Sequence, residues 1–431
     1  METEAGSTLK TRILLFAGAT LLFAYNLGFP LTHNFDEFHY IPSAKQFLAL
    51  TENQNYEHPP LGKELIAIGV GLIGDHPIGW RIMSVLFGAL TLLGIHELAL
   101  VLFGSARAAL VASLVTLFNQ MLFVQARIAM LDTFMAAFLV WSWAWGLAGW
   151  RSRSPRLLSA SGVMIGFAVA SKWFALVPWA AMWGLAAAAL LLEGLGSPKK
   201  SIRSKKSRPV AGVGPSWRQL ALSWGLVPVL AYYATFIPFL FITRKDGGSY
   251  GLWDILFSMQ YAMWDGQMRV VSPHSYGSHW WQWPLMHRPM WYAFDRGGDA
   301  PGFVRGVMLL GSPVVLWGGI LGVGYTAWDW LKRRRPEALL LVSGWAVCTF
   351  SWALIPRKLA FFYYYYPAVL WLGLACTYAV EHATPEPHRR LARLSLVALC
   401  LLFFIHFYPI LAALPIEPDA FMKWMWFRSW V

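Results

Sequence analysis

The sequence predicts an all-α integral membrane protein with about eleven transmembrane helices and short interfacial helices in its first outer loop. Three observations carry that reading. Charged residues make up only 13% of the chain against 57% hydrophobic, and mean hydropathy is +0.47. A soluble domain carries roughly a quarter charged residues, so too little charge is present to clothe a water-facing surface. Apolar runs of about 20 residues, enough to cross a bilayer core, recur along the whole length. Basic residues cluster between those runs: Arg151, Arg153 and Arg156, the stretch 199–208, Lys332 to Arg335, and Arg389, Arg390 and Arg393. Such clusters mark cytoplasmic loops and add contact with anionic lipids. The net charge of +13 therefore reports membrane topology. A nucleic-acid partner would need a folded basic surface with base-reading groups, and none is present.

The apolar segments fall at 12–30, 78–103, 106–125, 132–150, 157–174, 175–195, 219–243, 303–330, 337–355, 360–380 and 394–414. The first has no small-residue cleavage site behind it, so it reads as a retained span rather than a signal peptide. Residues 157–195 must hold two short helices broken around Ser171 and Lys172. Placing the N-terminus inside puts every basic cluster on the cytoplasmic side, and two long loops, 31–77 and 244–302, then face outward. The chain divides accordingly into a module of residues 1–243 with the first outer loop, a second outer loop of 244–302, and a module of 303–431. The last ends in an outward tail (FMKWMWFRSWV) expected to lie on the membrane surface and to tolerate deletion with mild effect. The inner stretch 197–216 is Ser/Lys-rich, the composition of a flexible linker. Residues 39–50 and 61–74 are apolar along one side at helical spacing, which predicts short helices lying on the membrane. Most tryptophans near span ends belong to the interfacial aromatic belt. Cys348, Cys376 and Cys400 lie in apolar spans with neither a disulfide framework nor a metal-ligand spacing, and read as packing residues.

The residues that bear chemistry gather in the outer loops and at outer span ends. Asp36 and Glu37 stand just after the first span between Phe35 and Phe38. A carboxylate partly desolvated there has a raised pKa and suits a general base; the plainer reading is a solvated acidic pair. His58-Pro59-Pro60-Leu61-Gly62-Lys63 follows, where the double proline fixes an extended backbone and sets the directions of His58 and Lys63. The plainer reading of Lys63 is a snorkelling lysine at a helix start. Arg81, Arg127 and Lys172 add cations at outer span ends, where charges face a cavity rather than lipid. Carboxylates beside such cations suit a phosphate leaving group next to a base. A secondary transporter would keep its ionisable groups near the midplane on broken helices, with an internal repeat. Here only His96-Glu97 lies deep, and no repeat is visible. A lipid-binding scaffold would need no Asp-Glu pair facing phosphate-sized cations.

Taken in order, NFDEFHY, HPPLGK, the span opening WRIMSVLFGALT, ARIAMLD, Ser171-Lys172-Trp173, SPHSYGSHWWQWPLMHRPMWY and the run from Arg357 to Tyr364 resemble the protein O-mannosyltransferase family. The likeness extends from about residue 34 to 380 and reaches, more distantly, the aminoarabinose transferases that act on lipid A. It implies a GT-C-type fold and an inverting transfer of a hexose, mannose in this family, from a polyprenyl-phosphate lipid donor to a hydroxyl. The acceptor implied is Ser or Thr of a protein, with a lipid or glycan acceptor as the alternative. The setting implied is a bacterial inner membrane with the site on the periplasmic or extracellular side. On this chain the resemblance makes Asp36 the base, with Glu37 and His58 holding it or shaping the acceptor side. Lys63 and Arg81, with Arg357, would bind the donor phosphate. Arg127, Asp132 and Lys172 would shape the site, and His274, Trp280, Trp281 and Trp283 would lie over it and stack on sugar or lipid. A lipid phosphate leaves as a stable anion, so no metal or other cofactor is expected.

Overall fold

The computed structural model describes residues 2–196, 214–269, 274–296 and 302–431. The linker expected at 197–216 falls, up to residue 213, outside the described residues, and so does the basic cluster at 199–208. Helix α1 (Glu2–Ala24) leads into an outer loop carrying α2 (Glu37–Leu48) and α3 (Leu61–Ile73), where apolar spacing predicts short helices. There follow α4 (Pro77–Phe103), α5 (Ala106–Leu117), α6 (Gln120–Gln125), α7 (Leu131–Ser152), α8 (Pro155–Ser171) and α9 (Leu176–Gly196). A π-helical turn at Ala221–Leu226 joins α10 (Trp217–Leu220) to α11 (Val227–Ala234). The second outer loop holds α12 (Met259–Met268) and an antiparallel hairpin of β1 (Met290–Arg296) and β2 (Val304–Leu309). The chain closes with α13 (Pro313–Arg333), α14 (Pro336–Phe350), α15 (Tyr366–Ala383) and α16 (Glu386–Leu411).

Among the described residues, five helical runs are long and apolar enough to cross a membrane: Pro77–Phe103, Leu131–Ser152, Trp173–Leu192, Trp217–Phe241 and Glu386–Leu411. Three other expected spans are built differently. The segment at 106–125 is two helices, because Asn119 takes an extended backbone and caps α6 by accepting from the Met121 amide at 2.9 Å. The segment at 303–330 begins as a strand; its apolar start, Val304 to Leu309, pairs with β1, and the helix begins only where Ser312 caps and Pro313 opens α13. The segment at 360–380 starts with a tight 3-10 turn, Phe362–Tyr365, before α15. In the first two cases the apolar run was real, and what broke it was a polar capping residue or a pairing partner elsewhere in the chain. The break at Lys172 is found where expected: α8 ends at Ser171 and Lys172 is extended (φ −159°, ψ 129°).

Helix α7 packs on both α4 and α8, and α13 packs on α15. Close approach inside the bundle rests on small residues, as expected where lipid supplies no hydrophobic drive between helices. On α8, a Cβ added at Gly162 would lie 1.8 Å from the Ser223 carbonyl oxygen, and one at Gly166 would lie 2.5 Å from that of Pro228. These two glycines, four residues apart, let the run from Trp217 lie directly against α8. Gly162→Ala is expected to push the helices apart and lower stability by roughly 1–3 kcal/mol, read as a lower midpoint of thermal unfolding in detergent. The deep pair His96-Glu97 has a structural role: Glu97 receives two bonds from Arg12 of α1 (2.6 and 2.8 Å), and His96 Nδ1 lies 3.0 Å from the Ser113 hydroxyl. Cys348, Cys376 and Cys400 are buried thiols.

The tail does not lie free on a membrane surface. Trp430 is buried and donates to the Met286 carbonyl at 2.8 Å, and Arg288 donates to the Ser429 carbonyl at 2.7 Å; just before the tail, Ile416 pairs with Val304 of β2. Deleting it would remove the contacts that Trp430 and Ser429 make with the second outer loop, so an effect larger than the mild one expected from sequence is predicted.

Candidate active site

Asp36 ends the loop that leaves α1 and forms the N-terminal boundary of α2. The residue before it, Phe35, adopts φ 50°, a left-handed conformation uncommon for a bulky side chain. Four rings hold it there: Tyr292 at 5.3 Å, Phe361 at 5.5 Å, Tyr363 at 5.7 Å and His274 at 6.0 Å between centroids. Strain that persists because its surroundings over-determine it is typical of functional positions. Here it precedes Asp36, whose side chain meets Tyr40 and Tyr363. Asp36 Oδ2 accepts from the hydroxyls of Tyr40 (3.2 Å) and Tyr363 (3.3 Å), and Oδ1 has no hydrogen bond among the described residues. The side chain is partly accessible. Burial holds its carboxyl above the usual carboxylate range, opposed chiefly by the charge of Lys172.

Lys172 reaches this place because its backbone is extended between α8 and α9. Its ammonium meets both oxygens of Asp132, in the first turn of α7, at 2.9 and 2.8 Å, and lies 4.9 and 4.8 Å from the rings of Tyr363 and Tyr364. Arg357 comes from the loop before α15. It lies 5.1 Å over the Tyr364 ring and donates to Gln267 Oε1 at 2.7 Å, while its Nε is buried without a partner. Gln267, at the end of α12, also donates to the Glu57 carbonyl at 2.8 Å and stands 3.5 Å from His58 Nε2. Burial first, then the cations Lys172, Arg357 and Lys63, push the His58 imidazole well below its ordinary pKa, so it is neutral at physiological pH. Its ring meets that of Tyr40 edge-on at 6.1 Å.

Two cavities flank this cluster. One, about 280 Å³, is lined by His58, Lys63 and Tyr56 together with Asp254 and with Met263 of α12. The other, about 260 Å³, is lined by His274, Trp280, Trp283, Arg357 and Lys358. Gln267 stands between them, bonded to residues of both.

Several residues expected at the site serve elsewhere. Arg81 spends all its donors inside the protein: two bonds of 2.8 Å to Glu37, and others to the carbonyls of Leu27 (3.3 Å), Pro30 (2.7 Å) and Thr32 (3.1 Å). It is fully buried and has nothing left for a phosphate. Glu37 is likewise consumed, accepting also from the amides of Asn34 (3.1 Å) and Ala129 (2.9 Å). It fixes the backbone beside Asp36 and does not reach a reacting group. Lys63 donates to the carbonyls of Asn55 and His58, the latter at 2.8 Å, and so staples the turn before the double proline. Burial lowers its pKa to about 7, with Glu57 and Glu64 opposing. Arg127 donates to the carbonyls of Phe23 (2.7 Å), Tyr25 and Asn26 (3.1 Å), closing the end of α1, the natural use of a cation where helix carbonyls are left over. Trp283 is buried and donates to Ser278 Oγ at 3.0 Å, so it forms wall rather than a free stacking face. Trp281 is 57% exposed and stacks on His279; it lines neither cavity itself. Sequence reasoning missed Tyr40, Tyr363, Tyr364 and Gln267. The tyrosines stand inside stretches already singled out, whereas nothing in the sequence around Gln267 sets it apart.

The arrangement of the chain is that of known membrane enzymes. It superposes on the Saccharomyces cerevisiae protein O-mannosyltransferase Pmt1–Pmt2 complex bound to the sugar donor with a TM-score of 0.80, at 15% identity, covering 98% of this chain and 93% of that one. ArnT of Cupriavidus metallidurans bound to undecaprenyl phosphate gives a TM-score of 0.60 at 19% identity, covering 95% and 67%. By fold the protein is thus a helical membrane protein of the GT-C type. The family models "Dolichyl-phosphate-mannose-protein mannosyltransferase" and "C-terminal four TMM region of protein-O-mannosyltransferase" match residues 57–204 and 252–430, most of the chain between them. The chain belongs to the protein O-mannosyltransferase family. Relatives named polyprenol-phosphate-mannose–protein mannosyltransferase occur in Mycolicibacterium smegmatis (27% identical, covering 94% of this chain and 89% of that protein) and Mycobacterium tuberculosis (27%, covering 92% and 86%). Another, in Corynebacterium glutamicum, is 26% identical and covers 92% and 88%.

Proposed function

We propose that the protein transfers mannose from a polyprenyl-phosphate carrier to a Ser or Thr hydroxyl of a protein, with Asp36 as general base. The observation that carries this is a carboxylate of raised pKa with one unengaged oxygen, in a cluster with Lys172, whose His58 lines one cavity and whose Arg357 lines the other. Asp36 Oδ1 takes the acceptor hydroxyl proton as that oxygen attacks the anomeric carbon from the face opposite the phosphate. The new C–O bond forms while the bond from that carbon to the phosphate oxygen breaks, its electron pair leaving with the polyprenyl phosphate, and the configuration inverts. Arg357, with donors still unmet, is the cation for the departing phosphate. It takes the place expected for Arg81 and Lys63. Lys172, steadied by Asp132, adds positive potential beside the reacting centre. The cavity of His58 and Lys63 then suits the acceptor, and that of His274, Trp280 and Arg357 the donor head.

Helix α7 supports the orientation. Asp132 stands in its first turn and Arg151 in its last, so the basic connections lie at the end away from Asp36. The positive-inside rule supports a non-cytoplasmic position for Asp36, and the reading offered is the periplasmic or extracellular face of a bacterial inner membrane. All three segments of the chain supply residues: Asp36 from 1–243, Gln267 from 244–302 and Arg357 from 303–431.

The test is transfer of label from polyprenyl-phosphate-mannose to a Ser/Thr peptide by purified protein. Label is expected on the peptide, with inverted configuration, and Arg357→Ala is expected to raise the donor KM. Label leaving the donor only for a lipid or glycan would keep the donor chemistry and overturn the protein acceptor. The pH profile offers a second check. Asp36 acts as base only when ionised, so kcat/KM rises with pH through its raised pKa. Lys172→Gln removes the charge that lowers that pKa and leaves Asp132, which raises it, without its partner. The acid limb should move to higher pH; a limb that stays put would remove Lys172 from the site.

A further inference from the structure

A third cavity, about 340 Å³, lies at the other end of α7 between that helix, α9, Trp224 and the first turns of α14. Nineteen residues separate Asp132 from Arg151 on α7. At 1.5 Å per residue that is roughly 28 Å, about the thickness of a bilayer hydrocarbon core. The cavity therefore belongs to the leaflet opposite the catalytic recess. Its walls are apolar, with Leu147, Trp150, Met182 and Leu185 among them, and Arg151 and Glu337 stand at its rim, paired at 3.0 Å and both partly exposed. Exposed Arg153, Arg156, Arg333 and Arg334 crowd the two connections beside that rim. Two wall residues, Trp143 and Trp224, carry buried indole N–H groups with no acceptor among the described residues. A buried donor left unmet is costly, the more so in a bilayer core that offers no water to meet it.

We propose that this cavity binds an anionic phospholipid from the leaflet opposite the catalytic recess, one acyl chain lying between α7 and α9 and the headgroup phosphate resting against Arg151 and the basic connections. Three observations fit that occupant together. The cavity is apolar and open along a helix pair, as an acyl chain requires. The rim is cationic, as a phosphate requires. The unmet indoles offer donors for an ester carbonyl. The sugar donor does not fit, because its phosphate must stand beside Asp36 at the far end of α7.

Purified protein is delipidated in mild detergent and titrated with phosphatidylglycerol or phosphatidylcholine; bound lipid is read by native mass spectrometry and Tm by thermal unfolding. Wild type is expected to retain one phosphatidylglycerol and to gain Tm as that lipid is added, as for any ligand that binds the folded state. Ala189→Phe fills the cavity and should weaken retention by about tenfold or more. Arg151→Gln should keep the chain site but lose the preference for phosphatidylglycerol over phosphatidylcholine. Should Ala189→Phe unfold early without lipid, Arg151→Gln decides alone, because its pair is partly exposed and contributes little to stability. Equal phosphatidylglycerol retention in wild type and both variants, or polyprenyl phosphate as the only lipid that wild type holds, overturns the proposal.

Discussion

Asp36→Asn is expected to cut kcat for mannosyl transfer by roughly 10²- to 10⁴-fold, the usual contribution of a positioned general base, while the protein folds as before. The two hydroxyls that bond to Oδ2, from Tyr40 and Tyr363, find the same acceptor in an asparagine oxygen. What is lost is the charge, and with it the capacity to take a proton. Stability should hold or rise, and the sign follows from linkage. A carboxyl whose pKa is raised by folding loses stability as pH climbs from its unfolded value through its folded one. At neutral pH the ionised Asp36 therefore weighs against the fold, and the neutral amide relieves that weight. A variant inactive with a Tm at or above wild type is the expected result. Such exchange of stability for activity is common where a site keeps a desolvated charge. Donor binding should survive, because Arg357 and the cavity of His274 and Trp280 are untouched. Near-normal turnover by Asp36→Asn would remove this residue as the base and leave the cluster of Lys172, Arg357 and the tyrosines in need of another reaction.

Much of this was legible in the sequence, and for physical reasons. Low charge and recurring apolar runs report the solvent directly, so the all-α membrane class follows from composition. The break at Lys172 was legible because 39 apolar residues are too long for one crossing. Asp36 stood out because a carboxylate pair between phenylalanines is costly to bury without purpose. Cations were harder. Arg81, Arg127, Lys63, Lys172 and Arg357 all look alike as isolated basic residues near outer span ends, and only the acceptors around each distinguish a clamp from a ligand site. Three of the five prove to be committed to backbone carbonyls or to Glu37. Arg357, with a buried Nε left unpaired, is the one the structure leaves ready for an anion. The hairpin was hidden because strand β2 is as apolar as the start of a span, and its partner lies across a connection from it. Gln267 was invisible since its importance comes wholly from bridging two loops brought together by the fold.

Arg81→Met should be the most damaging single substitution to the fold itself. Both side chains of the Arg81–Glu37 pair are completely buried, and the pair touches four parts of the chain. Through the carbonyls of Leu27, Pro30 and Thr32 it gathers the turns that follow α1; through Glu37 it reaches the start of α2 and the Ala129 amide just before α7. Removing the guanidinium leaves the buried Glu37 carboxylate with no cation and only the Asn34 and Ala129 amides as donors, and takes a donor from each of three carbonyls. Breaking a buried pair from one side costs about 3–5 kcal/mol, enough to exhaust a large part of the stability of an ordinary domain. The protein should accumulate poorly and unfold early in detergent, and what folds should transfer slowly because the backbone of Asp36 has lost its support. Replacing both partners, Arg81→Met with Glu37→Leu, removes the stranded charge and should recover part of the Tm, because the net worth of a buried pair is far smaller than the cost of halving it. Activity should not return with it, since the exit turn would still lack its tie to Ala129. A donor-phosphate role for Arg81 predicts the reverse pattern: a normal Tm for Arg81→Met, a raised donor KM, and no benefit from changing Glu37.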